Sequence, residues 1–177
     1  MKQKPILFLD FDRTLFDTDR FYDWLGVDRY SRILDLLAGT IAAPDFSLMI
    51  YPDTVPFLEE VKKTHRLVLL TYTVNTTLQR RKIRGSKLVP FFDDIIMTKE
   101  SKGIAVKNYL IRTEHSEKGH TFVDDTPKNI DDMKMENPEI RTVRIERVLL
   151  TAQELIHHTE PDLLVSSLSA ILPLLFL

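Results

Sequence analysis

Apolar residues fall along this chain in short continuous runs, separated by longer segments that are apolar only at helical spacing. Ile6–Leu9 is apolar at every position, as a strand buried on both faces would be, and it stops at two carboxylates, Asp10 and Asp12. Residues 67–70 repeat the pattern and end in Thr71-Tyr72-Thr73. Residues 95–97 and 121–123 are shorter runs, the second leading into Asp124-Asp125-Thr126-Pro127. Residues 140–145 alternate as a strand does, and Leu163–Val165 is a candidate last short strand. Between these runs the spacing predicts helices over residues 20–25 and Arg29–Ala38, broken at Gly26 and ended near Gly39. A further helix carries Pro56 in its first turn, with Phe57, Leu58 and Val61 on one face. Others run from Asn75 or Thr76 to Gly85, over residues 102–112, and from Pro127 with Thr126 as cap. A capping box at Thr151 and Glu154 predicts a helix through His158, and residues 168–174 read as a terminal helix.

Apolar strands alternating with amphipathic helices predict an α/β fold. It would be a doubly wound, Rossmann-like parallel sheet of about five strands with helices on both faces. The chain reads as a single domain over residues 1–177, with residues 17–50 as a small helical insertion after the first strand.

Composition narrows the partners. The chain has 177 residues, 44% hydrophobic and 28% charged, with a formal net charge of -2, so no long-range field draws it to nucleic acid or a membrane. There is no cysteine, which excludes disulfides, thiolate catalysis and Cys-ligated zinc. The histidines His65, His115, His120, His157 and His158 show no metal-ligand spacing. The apolar runs near both ends are too short for a signal peptide or for the roughly 18–20 residues of a membrane span. A cytoplasmic protein is the expectation.

The chemistry lies at the strand ends. Two aspartates as close as Asp10 and Asp12 repel unless a cation or a shared proton relieves them, and Mg²⁺ prefers such oxygen ligands. In a doubly wound sheet, Asp10 and Asp12, Thr71, and Asp124 with Asp125 would meet at the carboxyl edge, where ligands bind. Lys102 opens the helix before the acidic pair, with Lys99 as the alternative. Plainer roles exist for each: a polar turn for Asp12 and Thr14, a helix cap for Thr71, N-terminal acids favoured by the helix dipole for Asp124 and Asp125. The basic run Arg80-Arg81-Lys82-Ile83-Arg84 reads as a solvated helix face, with an anionic substrate tail as the alternative.

The order Asp-x-Asp-x-Thr at 10–14, then Thr71, Lys102 and Asp124-Asp125, resembles the four motifs of the haloacid dehalogenase superfamily. The stretches LVPFFDDII (88–96), FVDDTPKNI (122–130) and SSLSAIL (166–172) are also similar to that family. The resemblance implies a Mg²⁺-dependent phosphatase in which Asp10 attacks phosphorus and Asp12 is acid and base. Asp10, Asp125, Asp124 and the Asp12 carbonyl would hold the metal. Thr71 and backbone N–H groups around Phe11, Asp12 and Tyr72 would hold the phosphoryl oxygens, and Lys102 would neutralise Asp10 and phosphate. The substrate would be a small phosphorylated molecule. Its specificity would come from Phe21, Tyr22, Trp24 and Tyr30 in the insertion, if these do not simply pack together, and from Arg80 and Arg81 opposite. Two positions depart from the commonest family pattern: Arg13 stands where Gly is frequent, and Tyr72 where Asn is frequent. A response-regulator receiver would carry its acidic pair first and its lysine last, the reverse of this order. A non-catalytic module of the same fold and a phosphomutase are the remaining alternatives.

Overall fold

The computed structural model describes residues 4–151 and 158–175. Among them the apolar runs become six strands: β1 (Ile6–Leu9), β2 (Arg66–Tyr72), β3 (Asp94–Thr98), β4 (Thr121–Asp124), β5 (Arg141–Ile145) and β6 (Leu163–Val165). All neighbours pair in parallel, in the order β3-β2-β1-β4-β5-β6. The expected doubly wound sheet is present. It is one strand larger than the count of about five because Leu163–Val165 pairs with β5.

Helices α1 (Thr18–Leu25) and α2 (Arg29–Ala38) pack on each other, while α3 (Thr54–Val61), α4 (Thr76–Gly85), α5 (Lys102–Thr113) and α6 (Pro127–Glu136) cover the faces. The unbroken apolar run of β1 follows from burial on both sides. Leu7 and Leu9 pack with Phe16, Phe21, Leu36, Phe57 and Ile83, while Ile6 and Phe8 pack with Val106, Tyr109, Ile130 and Met133. Burying each such side chain contributes about 1.5–3 kcal/mol.

Local chemistry sets the element ends. Asp17 caps α1 by accepting from the Arg20 N–H at 3.0 Å, so that helix opens at Thr18, not at residue 20. Asn75 caps α4 through the Leu78 N–H (3.0 Å), and Ser101 caps α5 through that of Ile104 (3.2 Å). Thr71 and Tyr72 lie inside β2, not after it, because they pair with Met97 and Thr98. The single terminal helix expected over 168–174 is instead a 3₁₀ turn, Leu168–Ala170, and one α-turn, Leu172–Leu175. Pro173 has no N–H to continue the ladder. The helix expected from the capping box at Thr151 falls on residues 152–157, outside the described residues. No helix among the described residues is long and apolar enough to cross a membrane.

The strand order positions the site. From β1 the chain moves outward through β2 and β3, then returns to β4 on the other side of β1. Such a reversal opens a crevice at the carboxyl ends of the two central strands. Asp10 directly follows β1, and Asp124 is the last residue of β4. Lys102, at the first position of α5, is brought beside them by a close approach of α5 to α6. Gly103 permits it: a Cβ there would stand 2.2 Å from the Asp132 carbonyl oxygen. Gly103→Ala is therefore expected to force α5 and α6 apart, costing about 1–3 kcal/mol and lowering Tm by at least roughly 2 °C. Calorimetry measures this, and an unchanged Tm would mean that the two helices separate freely.

Candidate active site

The turn after β1 aims the first two carboxylates. The Asp10 N–H still donates to the Val123 carbonyl at 3.0 Å, so Asp10 stays in line with the sheet. The Phe11 carbonyl then accepts from Leu15 N–H (3.0 Å) and Phe16 N–H (2.9 Å), and Arg13 N–H donates to Phe16 (2.8 Å). Closing this turn puts Arg13 at φ 56°, a left-handed conformation that favours glycine. That is a local reason for glycine at the equivalent position of the motif it resembles. The Phe11 ring is buried and stacks on Phe16 at 5.0 Å, so Phe11 can meet a ligand only through its backbone. Arg147 fixes the far end of the turn: its Nη2 donates to the Thr14 carbonyl (3.0 Å) while the guanidinium grips both oxygens of Asp53.

Three carboxylates, those of Asp10, Asp124 and Asp125, have oxygens within 4.8 Å of one another. Lys102 is buried among them. Its Nζ donates to Asp10 Oδ1 and, at 2.6 Å, to Asp124 Oδ2. Lys99 is exposed at the mouth, so Lys102, not Lys99, contacts Asp10. Asp124 also accepts from the Thr126 N–H (2.9 Å) and from Asn129 Nδ2 (3.0 Å), leaving little of it free for a ligand. Burial opposes charge on Lys102, but Asp10 and Asp124 outweigh it and hold the ammonium protonated well above its ordinary range. One ammonium does not balance three carboxylates. Burial, offset in part by Lys102 and reinforced by Asp124 and Asp125, pushes Asp10 well above its ordinary value. Burial and the neighbouring Asp124 push Asp125 up to about 6.

Asp12 is held differently. Its Oδ1 accepts from Thr18 Oγ1 (2.6 Å) and from Lys82 Nζ, and its Oδ2 from Gln79 Nε2 (2.6 Å). The same Gln79 Nε2 donates to Thr71 Oγ1 at 2.9 Å, which ties the two strand ends together. Burial pushes the Asp12 carboxyl up, yet Lys82, Thr18 and Gln79 together leave it below its ordinary value. Lys82 itself is buried, with its ammonium over the rings of Phe16 (4.8 Å), Phe11 (5.5 Å) and Phe21 (5.6 Å).

These contacts correct the picture of the basic run as a uniformly solvated face. Lys82 points inward, and Arg81 donates to the carbonyls of Leu36 and Leu37 at the end of α2. Sequence reasoning missed Thr18, Gln79, Lys82 and Asn129. The available signal was spacing: Gln79, Lys82 and Ile83 fall at i, i+3 and i+4, one helix face.

Two adjoining cavities open at this edge. One, of about 500 Å³, is lined by Asp10, Asp12, Thr71, Tyr72, Lys102 and Asp125 among others. The second, of about 640 Å³, shares Asp12, Tyr72 and Asp125 with the first and continues between α1, α2 and α4. Phe21, Tyr22 and Tyr30 line it. Trp24 does not: it stacks on Phe21 at 6.1 Å beneath the Arg32 guanidinium. Arg80 is exposed on α4, outside both linings.

No protein-family model matches the sequence, and no curated protein matches it. Solved structures do match. A protein from Burkholderia xenovorans named as a haloacid dehalogenase-like hydrolase superposes with TM-score 0.78 at 17% identity, covering 99% of this chain and 100% of that one. One from Clostridium acetobutylicum, named as a predicted phosphatase, gives 0.70 at 14%, over 99% and 100%. A HAD-hydrolase, YfnB of Bacillus subtilis, solved with magnesium bound, gives 0.67 at 14%, over 99% and 100%. A dehalogenase is also similar. The chain has the fold of the haloacid dehalogenase-like proteins.

The Asp12–Lys82 pair carries a prediction. A carboxyl held below its ordinary value adds stability that is present above that value and lost as pH falls through the lower, folded one. Lys82→Met should therefore lower Tm at pH 7 by roughly 4–8 °C, corresponding to about 2 kcal/mol. The gap to wild type should narrow as the pH falls below about 4 and through the lower range in which wild-type Asp12 takes up its proton. Thermal melts from pH 3 to 7 measure it. A gap constant with pH would mean that Lys82 contributes only packing on the three rings.

Proposed function

We propose that this protein is a Mg²⁺-dependent phosphohydrolase that cleaves small phosphomonoesters through a phosphorylated Asp10. The observation that carries the reading is Asp10 itself. It is a buried carboxylate at the floor of a cavity, held by Lys102 and facing two further aspartates at the switch point of the sheet.

The donor set fits a hard dication. Three carboxylates against one ammonium leave an excess of two negative charges when all are ionised, and oxygen ligands of this kind suit Mg²⁺. Asp10 and Asp125 would hold the ion, with the Asp12 carbonyl as a further ligand. Asp124, already engaged by Lys102 and Asn129, would bind through its remaining lone pair or a water. The ion would offset the repulsion between a phosphate and the attacking carboxylate.

The chain's own residues then divide the work. An Asp10 oxygen attacks phosphorus while the bond to the leaving oxygen breaks, and Asp12, which for this step must first take up a proton against the pull of Lys82, gives that proton to the leaving oxygen. Water then attacks the aspartyl-phosphate, Asp12 accepts the water's proton, and the Asp10–phosphorus bond breaks to release phosphate. The ionised Asp12 that Lys82 favours is the form the second step uses. Thr71 Oγ1, fixed by Gln79, and the backbone around Phe11, Asp12 and Tyr72 would hold the phosphoryl oxygens. Lys102 keeps Asp10 oriented and neutralises an oxygen of the bound phosphate. Displacement at carbon, the dehalogenase reaction, would give the Asp124–Asp125 pair no such task, and this favours phosphorus as the centre attacked. The two helices within residues 17–50 flank the mouth without closing it, so hydrolysis is favoured over mutase chemistry, which must exclude water.

Steady-state hydrolysis of an aryl phosphate tests the reading. Asp10→Asn keeps shape and removes the nucleophile, so activity should fall by roughly a thousandfold or more; a variant retaining more than about a hundredth of wild-type activity would refute the assignment. Chelation should stop turnover and Mg²⁺ restore it. Because protons and the cation compete for Asp125, the Mg²⁺ concentration for half-maximal rate should rise as the pH falls through about 6. Full activity in excess chelator would leave the acidic cluster without this role.

A further inference from the structure

The second cavity assigns a substrate class, an inference that rests on the phosphohydrolase reading. We propose that it is the leaving-group subsite and that it takes an uncharged, largely apolar alcohol, aromatic or branched aliphatic, in preference to a polyol or an anionic group.

Its place sets its role. Asp12 lies on the boundary of the two cavities, and Tyr72, Asp125 and Thr126 are shared with it. A phosphoryl group seated against Asp10 directs its leaving oxygen to Asp12, and the group attached to that oxygen extends into the space beyond. At about 640 Å³ that space lies within the usual range of small-molecule sites, about 300–1,000 Å³.

Its walls set the chemistry. Tyr22, Tyr30, Ile33 and Leu34 face it from α1 and α2, and Val74 and Leu78 from the β2–α4 side. Several of these leave much of their surface to solvent: Tyr30 is 76% exposed, Val74 78%, Leu34 50% and Tyr72 52%. Exposed apolar side chains from separate segments converging on one mouth mark a site for an apolar ligand.

Most of the charged and amide groups of the walls are already engaged, and the hydroxyls of Tyr22, Tyr30 and Tyr72 and the Arg13 Nε are the polar groups left over. Thr18, Gln79 and Lys82 hold Asp12. Asn75 caps α4, and Thr73 Oγ1 accepts from the Asn75 N–H at 3.1 Å. Arg13 is paired with Asp19 at 2.7 Å, and Asp125 belongs to the acidic cluster. A polyol would lose hydration here for few hydrogen bonds. A second anion would meet in Arg13 a charge that Asp19 already neutralises.

Three phosphates of primary alcohols, 2-phenylethyl phosphate, glycerol 1-phosphate and 3-phosphoglycerate, separate the classes with little difference in leaving-group acidity. With Mg²⁺, kcat/KM for 2-phenylethyl phosphate should exceed the other two by at least about tenfold, chiefly through KM. Leu34→Asp, and independently Val74→Asp on the loop, should cut that preference to below about threefold. Calorimetry with 2-phenylethylphosphonate and methylphosphonate reads the same subsite without turnover. The phenylethyl compound should bind more tightly, and Leu34→Asp should abolish the difference. A preference for 3-phosphoglycerate would overturn the proposal and make Arg13 an anion receptor; equal or better use of glycerol 1-phosphate would also overturn it. If no ester is hydrolysed, the phosphohydrolase reading fails on its own. Calorimetry then decides the subsite, and equal binding of the two phosphonates overturns it.

Discussion

Like charge, incompletely compensated, is the constraint on which this site depends. Asp10, Asp124 and Asp125 meet where β1 and β4 end, and a single buried ammonium, that of Lys102, stands among them. Alone, any of these carboxylates would be costly to keep ionised in the interior. Together with Lys102 they form an arrangement that still lacks positive charge, and burial, reinforced by the neighbouring carboxylates, raises Asp10 and Asp125 above their ordinary values. The surrounding fold makes the arrangement possible. The strand order brings β1 and β4 side by side, and Gly103 lets α5 come close enough to α6 for Lys102 to reach both Asp10 and Asp124.

A second buried lysine works on the other side of the β1 turn. Lys82 joins the Asp12 carboxylate to a cage of Phe11, Phe16 and Phe21, drawn from the turn and from α1. Arg81, next to it, ties α4 to the end of α2. One helix therefore fixes both the polar group at the boundary of the two cavities and the apolar wall beyond it. If the second cavity receives the leaving group, reaction chemistry and substrate choice share α4 as their scaffold.

Much of the fold was legible because its strands are buried on two faces or pair in register, so apolar runs such as Ile6–Leu9 mark them directly. The polar strand ends were legible by order and type: Asp10, Asp12, Thr71, Lys102 and Asp125 all line one cavity. What the sequence concealed depended on direction within an element. Lys82 stands in a basic run whose composition suggests solvent, although its spacing from Gln79 and Ile83 puts it on the inner face. Trp24 and Tyr22 are two residues apart, yet α1 turns Tyr22 to the cavity and packs Trp24 on Phe21. Asn129 could not be distinguished from any helix-surface amide until its contact with Asp124 was seen.

The central claim is that Asp10 carries the phosphoryl group. Mixing the protein, Mg²⁺ and a phosphomonoester, quenching during turnover and reducing with borohydride would convert an acyl phosphate at that carboxylate to homoserine, which peptide mass spectrometry can locate. Homoserine at position 10, dependent on substrate and absent from Asp10→Asn, is the result expected. Turnover at full rate with position 10 unmodified, or with the label on another residue, would contradict it.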